Sequence, residues 1–325
     1  MRQRLTSFLL ACAALLAASC DPHQFPSGDG DFAVQLRFHY DLPLHRTLEG
    51  RTKAKAESRP QARYHVQLFR YVGEYDYTVA PEYSFSFVRG ELEDLDTTLV
   101  LPVAPERYKV LAWADYVDAA GKPYWKAEDF NEISLPDGYA GGRYARDAFR
   151  GGGMLDLSAL KAAGLSRVLT VEMTRPVAQV RVLIPDALTW LSSKAVSASS
   201  LQASLSWGAA LPDGFDLFGD RSTASRQGAA FSAVPELDDE GNLILCVDHV
   251  LTGADGLTLP ASFRLTGADG AELAVWDGNV PLLRAHRTDI ILRAPLPPGP
   301  DDPSTDTGGG IGIDPQFQSE IEITI

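Results

Sequence analysis

The sequence predicts an all-β protein made of two β-sandwich domains with one or two short helices. Stretches in which apolar and polar residues alternate recur along the chain, as in FAVQLRFHY (32–40), and this period of two is typical of half-buried strands. Turn sequences such as DEGN (239–242) and GADG (253–256) separate several of these stretches, which favours a sandwich over alternating βα units. A chain of 325 residues is long enough to bury two hydrophobic cores.

The first 19 residues are typical of a signal peptide. Arg2 and Arg4 supply positive charge, an apolar run covers residues 8–16, and small residues lead up to Cys20. A cysteine in this position resembles the lipobox of bacterial lipoproteins, which implies that the Cys20 thiol carries a diacylglycerol. An ordinary secretory signal with an incidental cysteine is the alternative, whereas a transmembrane anchor is excluded because the apolar run is too short. We therefore expect a lipid-anchored protein outside the cytoplasm.

The negative net charge argues against two classes of binding partner, and the cysteine content argues against a disulfide. Loss of Arg2 and Arg4 with the signal peptide takes the formal net charge from −14 to −16. So acidic a chain is a poor match for nucleic acid and for anionic lipid surfaces. With Cys12 removed and Cys20 lipidated, Cys246 is the one remaining cysteine, so we expect no intramolecular disulfide.

The first domain is predicted to span residues 32–174, after a polar tether at 20–31. The alternate apolar residues from Phe32 to Tyr40 share one face of its first strand. The run 106–117 is apolar on both faces, which indicates a central strand. The other predicted elements are an exposed basic loop at 44–63, strands at 63–72, 82–89, 96–101 and 167–174, an irregular connection at 121–153 and a helix at 157–163.

The second domain is predicted to span residues 175–294. Its first strand, 175–185, alternates Gln179 and Arg181 with apolar residues, and Asp186 is a candidate N-cap for a helix that ends near Lys194. Further strands are predicted at 199–207, 243–251, 260–266, 271–276 and 286–293. A linker rich in Pro, Gly and Asp follows at 295–310, and residues 311–325 form a terminal strand segment.

We find no catalytic or metal-binding pattern in the sequence, and we therefore predict neither an enzyme nor a cofactor or metal site. The six histidines do not fall at metal-ligand spacings. Cys246 and His249 cannot be partners, because residues three apart in a strand point to opposite faces. The glycines at 141–142 lack the ending of a phosphate-binding loop, and those at 151–153 lead into LDLSALK rather than into a phosphate-binding helix. Tyr124, Trp125 and Tyr139 are either a carbohydrate-stacking platform or, as is commoner, a means of pinning their loop to the sandwich.

Five stretches of the sequence resemble the Bacteroidales fimbrillin superfamily. They are RYKVLAWADYVD (107–118), RDAFRG (146–151), VEMTRPVAQVRV (171–182), LPDGFDLFGD (211–220) and VPLLRAHRTDIIL (280–292), and the chain end is similar too. The resemblance implies tandem transthyretin-like (Greek-key) sandwiches in a lipoprotein that builds or anchors surface fimbriae. One departure is Ala285, because members commonly carry Asn in the pattern R-N-H-x-T.

This resemblance and the residues together predict assembly by β-strand addition. A sandwich that lacks a strand exposes unpaired backbone groups and an apolar groove, and a donated strand satisfies both. Ile321, Ile323 and Ile325 alternate with polar residues and are the candidate donor strand, captured either by its own domain or by a neighbouring subunit. In polymerising members of the superfamily, cleavage after an arginine behind the first strand opens the groove. Arg46 and Arg51 are placed for such cleavage, although a solvated loop is the simpler interpretation.

Three classes of function are therefore open. A fimbrial subunit or anchor is favoured, a surface glycan- or ligand-binding lipoprotein of a polysaccharide-uptake system is the alternative, and an extracellular hydrolase is the least supported. Expected partners are other fimbrial subunits, the outer membrane through the lipid, and host or bacterial surface ligands. Asp21, Asp29 and Asp31 resemble the acidic surface-export tags of Bacteroidales lipoproteins, so we expect the outward-facing side of the outer membrane.

Overall fold

The structure is a computed structural model of the chain. It describes residues 32–40, 61–73, 76–89, 98–118, 120–136, 139, 141, 144–158, 166–185, 187–292 and 320–324. Most of these residues lie in β-strands, as the alternating sequence pattern predicts. The helices among the described residues are α1 (Ala187–Lys194) and two short 3-10 helices, Tyr144–Arg146 and Ala198–Ser200.

The first group of strands forms two facing sheets, which we call the first sandwich. One sheet has the strand order β4-β1-β8 and the other β3-β2-β5-β7. The strands of this group are β1 (Phe32–Tyr40), β2 (Gln61–Arg70), β3 (Tyr83–Arg89), β4 (Thr98–Val103), β5 (Arg107–Val117), β6 (Ile133–Ser134), β7 (Phe149–Asp156) and β8 (Ser166–Met173).

The second group forms the second sandwich, with sheets of order β16-β17-β9-β20-β21 and β15-β10-β18-β19. Its long strands are β9 (Val177–Ile184), β10 (Gln202–Trp207), β15 (Ala230–Ala233), β17 (Leu243–Leu251), β18 (Leu257–Thr266), β19 (Glu272–Leu282) and β20 (Arg287–Ile291). The short ones are β11 (Leu211–Pro212), β12 (Gly214–Asp216), β13 (Arg221–Ser222), β14 (Ser225–Arg226), β16 (Glu236–Leu237) and β21 (Glu320–Thr324).

The two sandwiches repeat the same arrangement of seven strands. In each, the first strand (β1 or β9) pairs antiparallel with one neighbour (β4 or β17) and parallel with the last strand (β8 or β20). The facing sheets match as well, since β3-β2-β5-β7 and β15-β10-β18-β19 are antiparallel throughout. The second sandwich differs by two additions, β16 beside β17 and β21 beside β20.

Each sandwich encloses its own hydrophobic core. The first contains Val34, Leu36 and Phe38 of β1, all without exposed surface, together with alternate residues of β2, β5 and β8. The second contains Val180 and Val182 of β9, residues of β10, β17 and β18, and the buried face of α1. The predicted central strand is confirmed, because β5 lies between β2 and β7 and both of its faces are buried.

The prediction of an irregular connection over residues 121–153 is wrong at its end, because residues 149–156 form β7. The three glycines explain the error, since glycine is depleted in strands. A Cβ at Gly151 would lie 2.5 Å from the Glu172 carbonyl oxygen, and one at Gly153 would lie 3.3 Å from the Leu169 side chain. Glycine therefore lets β8 approach β7 closely, and no phosphate loop is formed. The predicted helix at 157–163 falls largely outside the described residues.

Candidate functional site

The strand that the sequence pattern singles out first, β1, is the central strand of its sheet. Backbone pairing joins it to β4 from Phe32 to Arg37 and to β8 from Ala33 to Tyr40. Val34, Leu36 and Phe38 are completely buried on its inner face. Burial of each such side chain contributes about 1.5–3 kcal/mol. Loss of this strand would therefore leave an apolar slot with unpaired backbone groups on both sides.

The terminal segment of the chain pairs with the last strand of the second sandwich. Residues 320–324 form β21, which runs parallel to β20 with Glu320 opposite Arg287 and Ile323 opposite Ile290. Ile321 and Ile323 therefore stand at the register positions of Thr288 and Ile290, which are both buried in the second sandwich. Cys20, Arg46, Arg51 and Ile325 lie outside the described residues.

Two buried ion pairs connect the sandwiches. Their partners in the first sandwich are adjacent residues of opposite charge, Arg146 and Asp147. Arg146 donates from Nη1 to Asp248 Oδ1 of β17 at 2.9 Å, and Arg175 donates from Nε to both oxygens of Asp147 at 3.0 Å. Trp207 Nε1 donates to Asp248 Oδ2 at 3.0 Å, and the Tyr139 hydroxyl donates to the same oxygen. Burial raises the pKa of Asp248, and the Arg146 guanidinium opposes this rise.

A third buried pair lies on the first-sandwich side of the junction. Arg63 donates from Nε and Nη2 to Asp115 at 2.8 and 2.6 Å, and it also reaches the Trp125 carbonyl oxygen at 2.7 Å. Burial raises the pKa of Asp115, against the effect of the two hydrogen bonds from Arg63. His65 on the same strand is buried beside Arg63, and burial lowers its pKa to about 4.

An apolar cluster fills the junction around these pairs. Trp113, Trp125 and Ile133 of the first sandwich pack with Phe215 and Leu251 of the second. Strand β6 pairs with β12, so a small sheet also crosses from one sandwich to the other. The junction is therefore a packed core with internal ion pairs, and the two sandwiches are held in one orientation.

The stretches that carry the family resemblance meet at this junction. Asp115, Arg146, Arg175 and Asp220 come from four of them, and Asp220 accepts from Arg150 at 2.8 Å and from Arg284 at 2.9 Å. The sequence gives one clue to Asp115 and Arg175: each is a charge within or beside an apolar strand, where an unpaired charge is costly. Asp248, inside the apolar run 243–251, is the acceptor at the centre of the junction.

The other residues considered for chemistry have structural contacts. Cys246 faces the second core, whereas His249 lies on the opposite face and its Nε2 is 3.0 Å from the Gln179 amide nitrogen, which confirms that the two cannot be partners. Burial raises the pKa of the Cys246 thiol. Trp125 is fully buried and donates to the Arg146 carbonyl oxygen at 3.1 Å. The aromatic loop residues thus pin the loop, as the commoner interpretation holds.

A shallow groove of about 310 Å³ lies on the sheet of β15, β10 and β18, lined by Ser204, Ser206, Ser232, Ser262 and Arg264. Within the part of the chain that the structure describes, we find no group of three His, Cys, Asp or Glu residues placed to hold a metal ion. Among the same residues, no helix combines the length and the apolar character needed to cross a membrane.

Comparison with known proteins gives a family and distant structural relatives. Among solved structures, the fimbrial anchor protein Mfa2 from Porphyromonas gingivalis matches with a TM-score of 0.40 and 11% identity over 76% of this chain and 82% of that chain. A candidate polysaccharide-binding protein from Bacteroides thetaiotaomicron matches with a TM-score of 0.44 and 9% identity over 75% and 80%. A candidate cell adhesion protein from Bacteroides ovatus matches with a TM-score of 0.43 and 8% identity over 81% and 92%.

No curated protein matches the sequence. One family model does, and its match runs from residue 29 to residue 325, across both sandwiches and the terminal strand. The chain therefore belongs to that family, which is described as "Family of unknown function (DUF6562)".

Proposed function

We propose that the chain is a non-enzymatic cell-surface lipoprotein, a fimbrial subunit or an anchor or accessory component, which assembles by β-strand addition and supports adhesion. Its partners are other fimbrial subunits, surface ligands and, through lipid on Cys20, the outer membrane. The two sandwiches are the transthyretin-like (Greek-key) domains that the resemblance implies, spanning residues 32–174 and 175–294.

The position of β1 is the observation that carries this proposal. β1 is the first of the described strands and yet the centre of its sheet, and residues 41–60 lie between it and β2 in the sequence. A single cut after Arg46 or Arg51 would therefore separate β1 from the rest without breaking any other strand that the structure describes. The slot left between β4 and β8 would accept one strand with alternating apolar residues.

The terminal segment has the chemistry of the incoming strand. Residues 321–325 alternate isoleucine with Glu322 and Thr324, and three β-branched side chains on one face suit a half-buried strand. Among the described strands, residues 320–324 are at the edge of the second sandwich, where one side of their backbone pairs with β20. Transfer to a slot with partners on both sides would gain hydrogen bonds and burial.

Fimbrial assembly is favoured over glycan binding by the burial of the aromatic rings. All five tryptophans of the chain are buried, and Tyr139 is engaged with Asp248. Surface sugar sites commonly stack their ligand on exposed rings. The serine-lined groove of the second sandwich contains one buried ring, Phe231, and no exposed ring.

Electron microscopy of cells with and without the gene tests the proposed function. We expect surface filaments that disappear, shorten or detach when the gene is deleted and return on complementation. Identical filaments in both strains would contradict a fimbrial role. The amino terminus of the surface material then separates the two roles: lipidated Cys20 indicates an anchor or accessory component, and Thr47 or Thr52 indicates a cleaved filament subunit.

Replacement of the anchor residue tests the membrane attachment. We expect Cys20→Ser to move the protein into a soluble pool and to abolish labelling with palmitate, with an unchanged circular dichroism spectrum. A Cys20→Ser protein that still labels and sediments with membranes would contradict lipidation at this residue. Protease shaving of whole cells, scored on the same protein, then reports whether it faces outward.

A further inference from the structure

The last residue of β1, Tyr40, contacts the first residue of β7. Val34, Leu36, Phe38 and Tyr40 alternate along the inner face of β1, and Tyr40 is 7% exposed. Its ring meets the Phe149 ring at a centroid distance of 5.2 Å and an interplanar angle of 84°. This edge-to-face arrangement is one of the preferred geometries of two aromatic rings. The end of β1 is therefore packed on Phe149.

The Phe149 ring also contacts a buried cation. The Arg175 guanidinium carbon lies 4.7 Å from the centroid of this ring, and the Arg175 side chain has no exposed surface. A cation over an aromatic ring is attracted most strongly where water is excluded. Arg175 also donates from Nε to both oxygens of Asp147, which is equally buried. Phe149 therefore touches both the end of β1 and one of the two ion pairs of the junction.

Four consecutive residues join these contacts to the second sandwich. Arg146, which precedes Asp147, donates from Nη1 to Asp248 Oδ1 of β17 at 2.9 Å. The backbone amide of Ala148 donates to Asp147 Oδ1 at 3.0 Å, which holds this carboxylate against its own stretch of chain. Residues 146–149, which we call the coupling segment, thus contact β1 at one end and β17 at the other.

Strand pairing connects the end of β1 to the same arginine. Tyr40 stands in register with Met173, the last residue of β8. The next residue, Thr174, exchanges two backbone hydrogen bonds of 2.8 Å with Arg150 of β7, and Arg175 follows directly. A displacement of the end of β1 would therefore reach Arg175 through paired strands, which transmit it better than a flexible loop would.

We propose that the Tyr40 ring is the contact by which β1 fixes the orientation of the two sandwiches. Without this ring, Phe149 loses a packing partner, the pair of Arg175 and Asp147 loses a fixed support, and the coupling segment gains freedom at the junction. This role goes beyond the proposed function, because it concerns the intact chain before any strand is exchanged. In a chain that loses β1, the two sandwiches are released to reorient.

Phe38 supplies the matched control for Tyr40. It lies two residues earlier on the same face of β1, is completely buried, and packs its ring on Tyr64 of β2 at a centroid distance of 5.5 Å. Phe38→Leu therefore removes an aromatic ring from the same core at a different contact. Tyr40→Leu removes the ring that meets the coupling segment, and Tyr40→Phe keeps that ring but deletes its hydroxyl group.

The distance between two spin labels, one on each sandwich, reports the orientation. The background is the mature chain with Cys20→Ser and Cys246→Ala, so that no native thiol is labelled. The labels are attached at Val88→Cys on β3 and Val275→Cys on β19, whose side chains are 47% and 41% exposed. We expect a narrow distance distribution in this background, because the junction holds the two sandwiches in one orientation.

The variants at the end of β1 then separate the Tyr40 ring from the rest of the core. We expect the distance distribution to become at least twice as wide with Tyr40→Leu and to stay narrow with Tyr40→Phe and with Phe38→Leu. Equal widths for Tyr40→Leu and Phe38→Leu would overturn the proposal. A distribution as wide with Tyr40→Phe as with Tyr40→Leu would overturn it too, because the hydroxyl group and not the ring would then be responsible.

A change at the junction should in turn loosen the end of β1, because coupling between two sites is reciprocal. Asp248→Asn keeps the shape of the side chain but removes the charge that faces Arg146. We expect this variant to speed amide hydrogen exchange at residues 38–40 at least tenfold more than at residues 34–36. The measurement keeps Tyr40 in place, so it tests the proposal even where Tyr40→Leu does not fold.

A second ion pair of the same sandwich is the control for the exchange experiment. Glu272→Gln changes an exposed pair with Arg264 and should leave exchange along β1 as it is in the unchanged chain. Exchange at residues 38–40 that is unchanged by Asp248→Asn, or that rises no more than exchange at residues 34–36, would overturn the proposal.

Discussion

The two sandwiches have the same strand order but differ at the side where the last strands of their two sheets face each other. These strands are β7 and β8 in the first sandwich and β19 and β20 in the second. In the first, Gly151 and Gly153 let β8 approach β7 closely, and Arg150 and Thr174 form a backbone bridge where the two strands meet. In the second, β19 has the larger residues Val275 and Trp276, and β20 instead gains a neighbour, β21, from the end of the chain. The first sandwich is therefore closed at this side by close packing of β8 on β7, and the second by the added strand β21.

As a result, the strands near the two ends of the chain differ in how many neighbours they pair with. The first strand is central in its sheet, so its removal breaks pairing on two sides and exposes a core. The last strand is at a sheet edge, so its removal breaks pairing with β20 alone among the described strands. The chain therefore has a slot between β4 and β8, filled by a strand that is paired on both sides, and a second strand at its other end that is paired on one side. These are the two components that strand exchange requires.

The largest expected effect is on the junction that holds the sandwiches together. We expect Asp248→Ala to lower the free energy of unfolding by about 3–5 kcal/mol, because Arg146 would be left as an unpaired buried charge. Chemical denaturation measures the change. The matched control is Glu272→Ala, which removes an exposed ion pair with Arg264 and should cost less than about 1 kcal/mol. Equal effects of the two changes would contradict a structural role for the junction pair.

Deletion of the terminal strand removes one of the two strands that the second sandwich has in addition to the first. We expect removal of residues 311–325 to cost about 3 kcal/mol, because two isoleucines at register positions of buried residues are lost. Calorimetry and limited proteolysis check the loss in the second sandwich. An unchanged melt together with lost assembly would mean that the strand acts only in a neighbouring subunit, and an unchanged melt with unchanged assembly would contradict both roles.

Acid should weaken the first sandwich selectively. The folded pKa of His65 is lowered to about 4 from an ordinary value of 6.5, so the unfolded chain binds a proton that the folded chain does not. Between pH 6.5 and pH 4 the first sandwich should therefore lose up to about 3 kcal/mol as the pH falls. His65→Gln should flatten this part of the stability profile, and His39→Gln, at an exposed position of β1, is the control. Equal profiles for both variants would exclude His65 as the cause.

The close contact between β7 and β8 in the first sandwich should be disturbed by any side chain at Gly151. We expect Gly151→Ala to cost about 1–3 kcal/mol, because the new methyl group would press on the Glu172 carbonyl oxygen and must push β8 away. Gly253→Ala in the second sandwich has no atom within 4 Å of its methyl group and should be nearly neutral. Thermal melting compares them, and a neutral Gly151→Ala would show that β8 does not rest on β7.

The smallest effect is a gain of stability at the residue that departs from the superfamily pattern. Ala285 has a φ of 57°, in the left-handed region that glycine and asparagine adopt more easily. We expect Ala285→Gly to raise the free energy of unfolding by up to about 1 kcal/mol, as measured by denaturation. Ala261→Gly, within β18, is the opposite control and should lower it. A loss at Ala285 as large as that control would argue that the position is not strained.

The sequence pattern predicted strands whose side chains follow one period and failed where tertiary contacts decide. The alternation of β1 and the two apolar faces of β5 are local signals, and both strands form as expected. Strand β7 was missed because its glycines matter only through the approach of β8. Gln179 alternates with apolar residues on β9, yet it is buried, and its amide nitrogen lies 3.0 Å from Nε2 of His249, 70 residues away on β17. The pairing of Arg146 with Asp248, 102 residues away, left no local signal.

The mass of particles formed by a nicked chain tests strand exchange most directly. A protease site placed between Arg46 and Arg51 would be cut after folding, and native mass spectrometry would then follow the products. Strand addition predicts oligomers that have lost the fragment containing β1, and the same nick in a chain without residues 311–325 should yield no oligomers. A nicked, full-length chain that stays monomeric and keeps its β1 fragment bound would contradict the account.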